Sequence, residues 1–519
     1  MISIAAVSAL LVTQSSSVLE IDPLLLVQAA EVWSVLGRDA NSVWPGWDPR
    51  KTPILIYFPD KQEVLINHPK PPEGFLPYTG KVRSPIGKIY LRNGKTTFSL
   101  DGQNTTTKIG GIRTLVVADT MSTRRQMIES VAAEVVAQPA RAPKLIADNL
   151  FGSPINSMTV FAHEAFHVYQ ERLAPKKSAN EGALVRYPSL SVPNNVWWGI
   201  EADELAEALN ASSAAKARES GIRWLAARQA RRSQLASEQR QYEDAVEFSE
   251  GTAKYVEYRL LQQMVSHSPS AEMWLIQGFQ GYGSQAEAAR NSLIRKMRGF
   301  MSGSIGVNGD LYGASPVRFR MYYSGMAIGA LLDRLGTKWH SKLLTSEESL
   351  TTLATGALRP SDRELAEAQA ALEKTERYAA LLREKEQLQA DGRRHIDSEL
   401  SRFTEAAGEL ILDYSALPSV MPGLTYTPFG VLSIDANRTL YRLIPIQGTI
   451  GAMKFSEDSA RPILLDTLNR RIHLQLTGSP ESVKPGPMQE PEVRLPGVTL
   501  NDVKGEVSIE GKRVVIRLN

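Results

Sequence analysis

The chain has 519 residues, with 59 basic and 56 acidic side chains and a formal net charge of +3. This length predicts about two to four domains. The balanced charge argues against a nucleic-acid-binding protein, which would concentrate basic residues. The lack of cysteine excludes disulfides, thiolate nucleophiles, iron–sulfur clusters and cysteine-ligated zinc.

The first residues resemble an export signal. Ile2 to Thr13 are mostly apolar and uncharged, and Ser15 and Ser17 could stand at the −3 and −1 positions of a cleavage site. We therefore expect a candidate signal peptide over residues 1–17 and a secreted or periplasmic protein. The segment lacks a basic residue, so a start further upstream or a buried segment is the alternative. No transmembrane span is expected, because no later run of about 20 apolar residues occurs.

The hydrophobic pattern then predicts an N-terminal α+β region over residues 18–150. Helical spacing predicts a helix over 20–37, and β-rich runs at 53–58 and 63–66 predict a hairpin. Further strands are expected at 88–91, 96–100 and 113–117.

A mostly helical core is predicted over residues 151–345, a charged helical arm over 346–415 and a β-rich domain over 416–519. The spacing within 361–412 would suit a short coiled coil, but a helical hairpin is the preferred interpretation. Five prolines in 478–498 indicate a loop or linker, and the alternating runs on either side of Glu510 and Gly511 predict a hairpin. The fold class is therefore predicted as α+β.

The strongest chemical signal is the pentapeptide from His163 to His167, His-Glu-Ala-Phe-His. It lies in a segment, 157–173, that contains neither glycine nor proline and is predicted to be helical. Positions i and i+4 share one face of a helix, so both imidazoles can bind one zinc ion. Glu164 is then near enough to reach a water on that ion. Two histidines in a protein core are the alternative.

Zinc in such a site needs a third ligand, and a carboxylate is the best candidate. Downstream lies Ser-Glu-Gly-Thr-Ala-Lys-Tyr, from Ser249 to Tyr255. This segment resembles the gluzincin metallopeptidases, whose second active-site helix carries Glu-Gly-x-x-x-Tyr. The resemblance implies that Glu250 is the third zinc ligand. Because 82 residues separate His167 from Glu250 and no Gly-x-Met-Glu-Asn segment occurs, the resemblance is to the clan rather than to the aminopeptidase family.

A third segment, from Arg318 to Gly325, is similar to the Tyr-x-x-Gly segment of the same clan. The resemblance implies that Tyr322 donates a hydrogen bond to the developing oxyanion. Tyr323 is the neighbouring alternative, and aromatic packing at a helix start would also explain the pair. Arg318 and Arg320 could bind a substrate carboxylate, although a solvated face is the preferred interpretation.

Several other glutamates could accept a hydrogen bond from a zinc-bound histidine, because such carboxylates orient the imidazole. Glu247 is the first candidate, since it lies one turn before Glu250. A solvated helix face is the default expectation for all of them: Glu201, Glu204, Glu207, Glu243 and Glu247.

These features predict a zinc-dependent hydrolase that cleaves peptide bonds in a peptide or protein substrate, using a water activated by Glu164. One alternative is a non-enzymatic envelope or secreted binding protein with a structural or vestigial zinc site. Another is a zinc hydrolase acting on a non-peptide amide or an epoxide. The sequence does not distinguish an endopeptidase from an exopeptidase, and it does not indicate an oligomeric state.

Overall fold

The computed structural model describes most of the chain outside its first 20 residues. The described residues are 21–37, 41, 43–59, 61–94, 96, 98, 104–123, 125, 154–307, 311–427, 430–442, 444–479 and 483–519. The candidate signal peptide over residues 1–17 lies outside these ranges, as does most of the strand expected at 96–100.

The fold is α+β, as the sequence predicts, with thirteen helices in the described residues and two sheets. The helices are α1 Pro23–Gly37, α2 Ile155–Leu173, α3 Gly182–Val185, α4 Val192–Asn210, α5 Ala214–Arg232, α6 Ser237–Val246, α7 Thr252–Met264, α8 Tyr282–Ser302, α9 Ala314–Arg334, α10 His340–Thr345, α11 Leu350–Leu358, α12 Asp362–Glu373 and α13 Glu376–Glu405. A π-helical turn, Glu247–Gly251, joins α6 to α7.

The strands account for about a fifth of the chain. Among the described residues, six strands lie between α1 and α2, and eleven follow α13. They are β1 Ile54–Phe58, β2 Gln62–Ile66, β3 Leu76–Pro77, β4 Ile89–Asn93, β5 Asn104–Ile109, β6 Ile112–Ala118, β7 Gly408–Asp413, β8 Gly423–Thr425, β9 Leu432–Ser433, β10 Arg438–Tyr441, β11 Gln447–Ile450, β12 Met453–Glu457, β13 Ile463–Asp466, β14 Arg471–Leu476, β15 Gly486–Leu495, β16 Val498–Glu510 and β17 Arg513–Leu518.

The chain divides into two compact units, and the division falls inside α7. The first unit comprises residues 1–173 and 256–290, and the second comprises 174–255 and 291–519.

The first unit contains a six-stranded sheet in the order β3-β4-β2-β1-β6-β5. Strands β1 and β2 pair in antiparallel fashion, which confirms the predicted hairpin, while β1 and β6 run parallel. Helix α1 begins where the carboxylate of Asp22 accepts hydrogen bonds from the amides of Leu24 and Leu25. This is a normal cap for the first unpaired amides of a helix.

The second unit combines a layer of helices with an eleven-stranded sheet. The sheet runs β8-β11-β12-β16-β17-β7-β14-β13-β10-β9, and β15 pairs with β16. The predicted hairpin around Glu510 and Gly511 is confirmed as β16 and β17.

The charged segment after residue 361 forms two helices, α12 and α13, which are separated at Lys374 and Thr375. Leu372 and Leu381 are buried in a cluster with residues of α4 and α5. Each of the two helices therefore packs one leucine against the helical layer, whereas Leu382 of α13 is exposed.

In the C-terminal half, strands replace part of a predicted linker and the end of a predicted helical stretch. Residues 486–495, expected as part of a linker, form β15, and residues 408–413, expected at the end of the charged helical stretch, begin the C-terminal sheet as β7. Strand β15 pairs with β16 alone and leaves Pro491 out of the ladder register. Such a strand tolerates proline because its outer backbone groups have no partner to lose.

Among the described helices, none has the length and apolar character that crossing a membrane would require.

Candidate metal centre

Helix α2 carries the two histidines of the pentapeptide. The helix begins directly after Pro154 and ends before Pro175, and its interior lacks glycine and proline. Its apolar face is anchored by aromatic contacts: the ring of Phe166 lies 4.6 Å from that of Trp44, and Phe161 lies 5.2 Å from Trp33. These contacts fix the rotation of the helix, and so the direction in which its histidines point.

The Nδ1 atom of each histidine contacts a side-chain oxygen. Nδ1 of His163 lies 2.7 Å from Oε1 of Glu257, and Nδ1 of His167 lies 3.1 Å from Oε1 of Gln170. A partner at Nδ1 sets the orientation of the ring and assigns Nε2 to a metal. The two ring centroids are 4.8 Å apart, as one face of a helix requires.

Glu250 lies in the π-helical turn between α6 and α7. Such turns insert one residue into an α-helix and are frequent at functional sites. Gly251 follows, and a Cβ atom there would lie only 2.7 Å from the Cα of Gly325 on α9. The π-helical turn and α9 therefore cross at a contact between Gly251 and Gly325, immediately beside Glu250.

Arg318 and Tyr322 of α9 surround the carboxylate of Glu250. Nη2 of Arg318 donates to Oε1 of Glu250 at 3.1 Å, while Nη1 contacts Glu181. The hydroxyl of Tyr322 is hydrogen-bonded to Glu250 and Arg318. Burial and then the Glu250 charge raise the pKa of Tyr322 well above its usual value, so the phenol keeps its proton and remains a hydrogen-bond donor.

The three predicted ligands form a group that could hold a metal ion. The ligand atoms of His163, His167 and Glu250 all lie within 4.8 Å of one another. Two neutral nitrogens and one carboxylate are donors that zinc accepts, and they fit that ion chemically.

The remaining predicted residues occupy distinct positions. Glu164 is half-buried on α2, beside His163 in the chain. Tyr323 is buried, and its ring stacks on Phe300 at 5.0 Å. The solvated face expected for Arg318 and Arg320 is wrong: Arg320 is fully buried and donates to a side-chain amide, Oδ1 of Asn195, at 2.6 Å.

The glutamates upstream of Glu250 lie in a buried ionic network. Glu201, Glu243 and Glu247 are fully buried, so the solvated face expected for them is wrong. Their charges are compensated by two arginines of α5, Arg228 and Arg231, which are equally buried. Burial alone would raise the pKa of Glu243, but Arg231 and a second arginine hold it at about 2.

The carboxylate of Glu247 contacts Arg228 and the hydroxyl of Ser324. Its role as the partner of a zinc-bound histidine stays a prediction. The carboxylate that contacts His163 is that of Glu257, a residue that the sequence does not single out. No local signal marks Glu257, because its contact with His163 joins residues 94 positions apart in the chain.

Comparison with protein-family models, with curated proteins and with solved structures found no match to this chain.

Proposed function

We propose that the protein is a zinc-dependent hydrolase that cleaves peptide bonds. The observation that carries the proposal is the group formed by His163, His167 and Glu250, with ligand atoms within 4.8 Å of one another. Three protein ligands are the number that catalytic zinc sites use, because the fourth position must accept water or substrate. Structural zinc sites are closed by four protein ligands.

A bound zinc ion would supply Lewis acidity, lowering the pKa of a water molecule and polarising a substrate carbonyl. Glu164 would accept the proton of the attacking water and pass it to the leaving amine. Tyr322, which keeps its proton, would donate a hydrogen bond to the oxygen that gains charge. Glu164 directly follows His163, a proposed ligand, in the chain. A purely structural zinc site would not require a base at this position.

The expected location is secreted or periplasmic, and the expected substrate is a peptide or protein. Both belong to the proposal, since they rest on the N-terminal sequence and on the resemblance of the motifs.

The test is peptide-library cleavage by wild type and by Glu164→Gln, with the zinc content of both samples measured after dialysis. We expect cleavage by wild type, its loss on chelation and its return with zinc. Glu164→Gln should keep about one zinc and lose turnover by about 100-fold or more. Equal turnover in the variant would remove Glu164 from the mechanism, and zinc without cleavage in wild type would favour the binding-protein alternative.

A further inference from the structure

Arg318 makes contacts in two directions from one guanidinium. Nη2 donates to Glu250 at 3.1 Å, and Nη1 contacts Glu181 and lies 3.2 Å from the hydroxyl of Tyr242. Tyr242 in turn donates to the other oxygen of Glu181 at 3.0 Å. Glu181 and Tyr242 therefore hold the far side of the guanidinium in place, while its near side faces Glu250.

The burial of Arg318 requires an explanation. Its side chain is 14% exposed, and that of Glu250 is 17% exposed. A charge removed from water costs free energy that only well-placed partners recover. An arginine that merely covered a surface would keep its head group in solvent. Two carboxylates and two phenols around Arg318 compensate for that cost and leave it little freedom to reorient.

We propose that Arg318 is a positioning residue for the metal centre: it holds Oε1 of Glu250, so that the carboxylate presents one oxygen to the ion. This inference rests on the proposed zinc site and goes beyond it, because it assigns the orientation of a ligand to a residue that contacts no metal. The planar fork of arginine is essential to the role. A lysine keeps the charge but is a point donor, and it cannot address Glu181 and Glu250 along two fixed directions.

Removing Arg318 has two opposed consequences for zinc. The loss of a positive charge would by itself strengthen the binding of a cation. The loss of orientation weakens it, and partners that orient metal ligands typically contribute about 10–100-fold in affinity. The buried two-sided contact favours the second effect, and the lysine variant separates the two because it keeps the charge.

The experiment measures zinc affinity by competition with a chromophoric chelator for wild type, Arg318→Lys and Arg318→Ala. Arg334→Lys is the matched control, because Arg334 also lies on α9 and donates to the backbone oxygens of Leu209 and Ala211 rather than to a carboxylate of the candidate site. We expect affinity to fall about 10–100-fold in both Arg318 variants and to stay unchanged in the control. Glu181→Gln removes the charge on the far side of the Arg318 guanidinium and should show a smaller loss of zinc affinity. If Arg318→Ala does not fold, this variant tests the positioning role in its place.

Visible absorption of the cobalt-substituted proteins gives a readout that a loss of stability would not change. A carboxylate that swings to bind through both oxygens raises the coordination number and weakens the cobalt bands. We expect weaker bands in Arg318→Ala and wild-type bands in Arg334→Lys. Wild-type zinc affinity in Arg318→Lys, or tighter binding in Arg318→Ala, would overturn the positioning role alone. A wild type that binds no zinc would overturn the proposed function together with it.

Discussion

Gly325→Ala tests the helix crossing that places Glu250. A Cβ atom at position 325 would lie 2.7 Å from the backbone oxygen of Glu247 and 2.7 Å from the Cα of Gly251. Non-bonded carbon atoms normally approach to about 3.5–4.0 Å. The obstacle is backbone on both sides, so α9 and the π-helical turn must separate by about 1 Å rather than a side chain moving aside.

Overpacking of this kind typically costs about 1–3 kcal/mol in the free energy of unfolding. The separation also moves Glu250 away from Arg318 and Tyr322, and we expect zinc affinity to fall about tenfold or more. The assays are urea denaturation and chelator competition on the same preparation.

Gly356→Ala is the matched control. Gly356 lies in the short helix α11, and a Cβ atom there would meet nothing within 4 Å. The substitution should stabilise the helix by about 0.5–1 kcal/mol, because alanine loses less backbone entropy than glycine. A Gly325→Ala protein that unfolds at the wild-type urea concentration and binds zinc with wild-type affinity would refute the close crossing.

Three further predictions concern buried charges. Glu257→Ala removes the oxygen that lies 2.7 Å from Nδ1 of His163. Zinc affinity measured by chelator competition should then fall about 10–100-fold. An unchanged affinity would show that the contact does not orient the imidazole. Arg231→Met leaves buried carboxylates without their partner and should cost about 3–5 kcal/mol in urea denaturation, whereas a neutral result would mean that the network relaxes. Burial raises the pKa of Glu457 from its usual 4.5 to about 7, so the folded state binds the proton more tightly than the unfolded state. As the pH rises from about 4.5 to 7, the stability of wild type should therefore decline relative to that of Glu457→Gln. A stability difference that stays constant over this pH range, measured by thermal denaturation, would contradict that pKa.

The sequence predicted local elements well where periodicity is strong. The β1–β2 hairpin, the histidine helix α2 and the β16–β17 hairpin follow directly from alternation or helical spacing. Strand β15 was expected as a linker because its prolines argue against a strand, and only its pairing with a single neighbour makes them tolerable.

In the candidate site, too, the sequence predicts the features that one helix determines and misses those that depend on contacts between distant segments. The spacing of His163 and His167 predicts a shared face, because the helix itself fixes it. The burial of Glu243 is not readable from its own segment, since its partner Arg231 lies twelve positions away on another helix. Glu257 likewise becomes meaningful only through its contact with His163, 94 positions away in sequence.

The most direct test of the central claim is the zinc content of purified wild type beside His163→Ala and Glu250→Ala, measured by elemental analysis after dialysis. The account predicts about one zinc per wild-type chain and its loss in both variants, with all three proteins folded by circular dichroism. Wild type without zinc even after remetallation, or full zinc content in both variants, would contradict a metal centre at these residues.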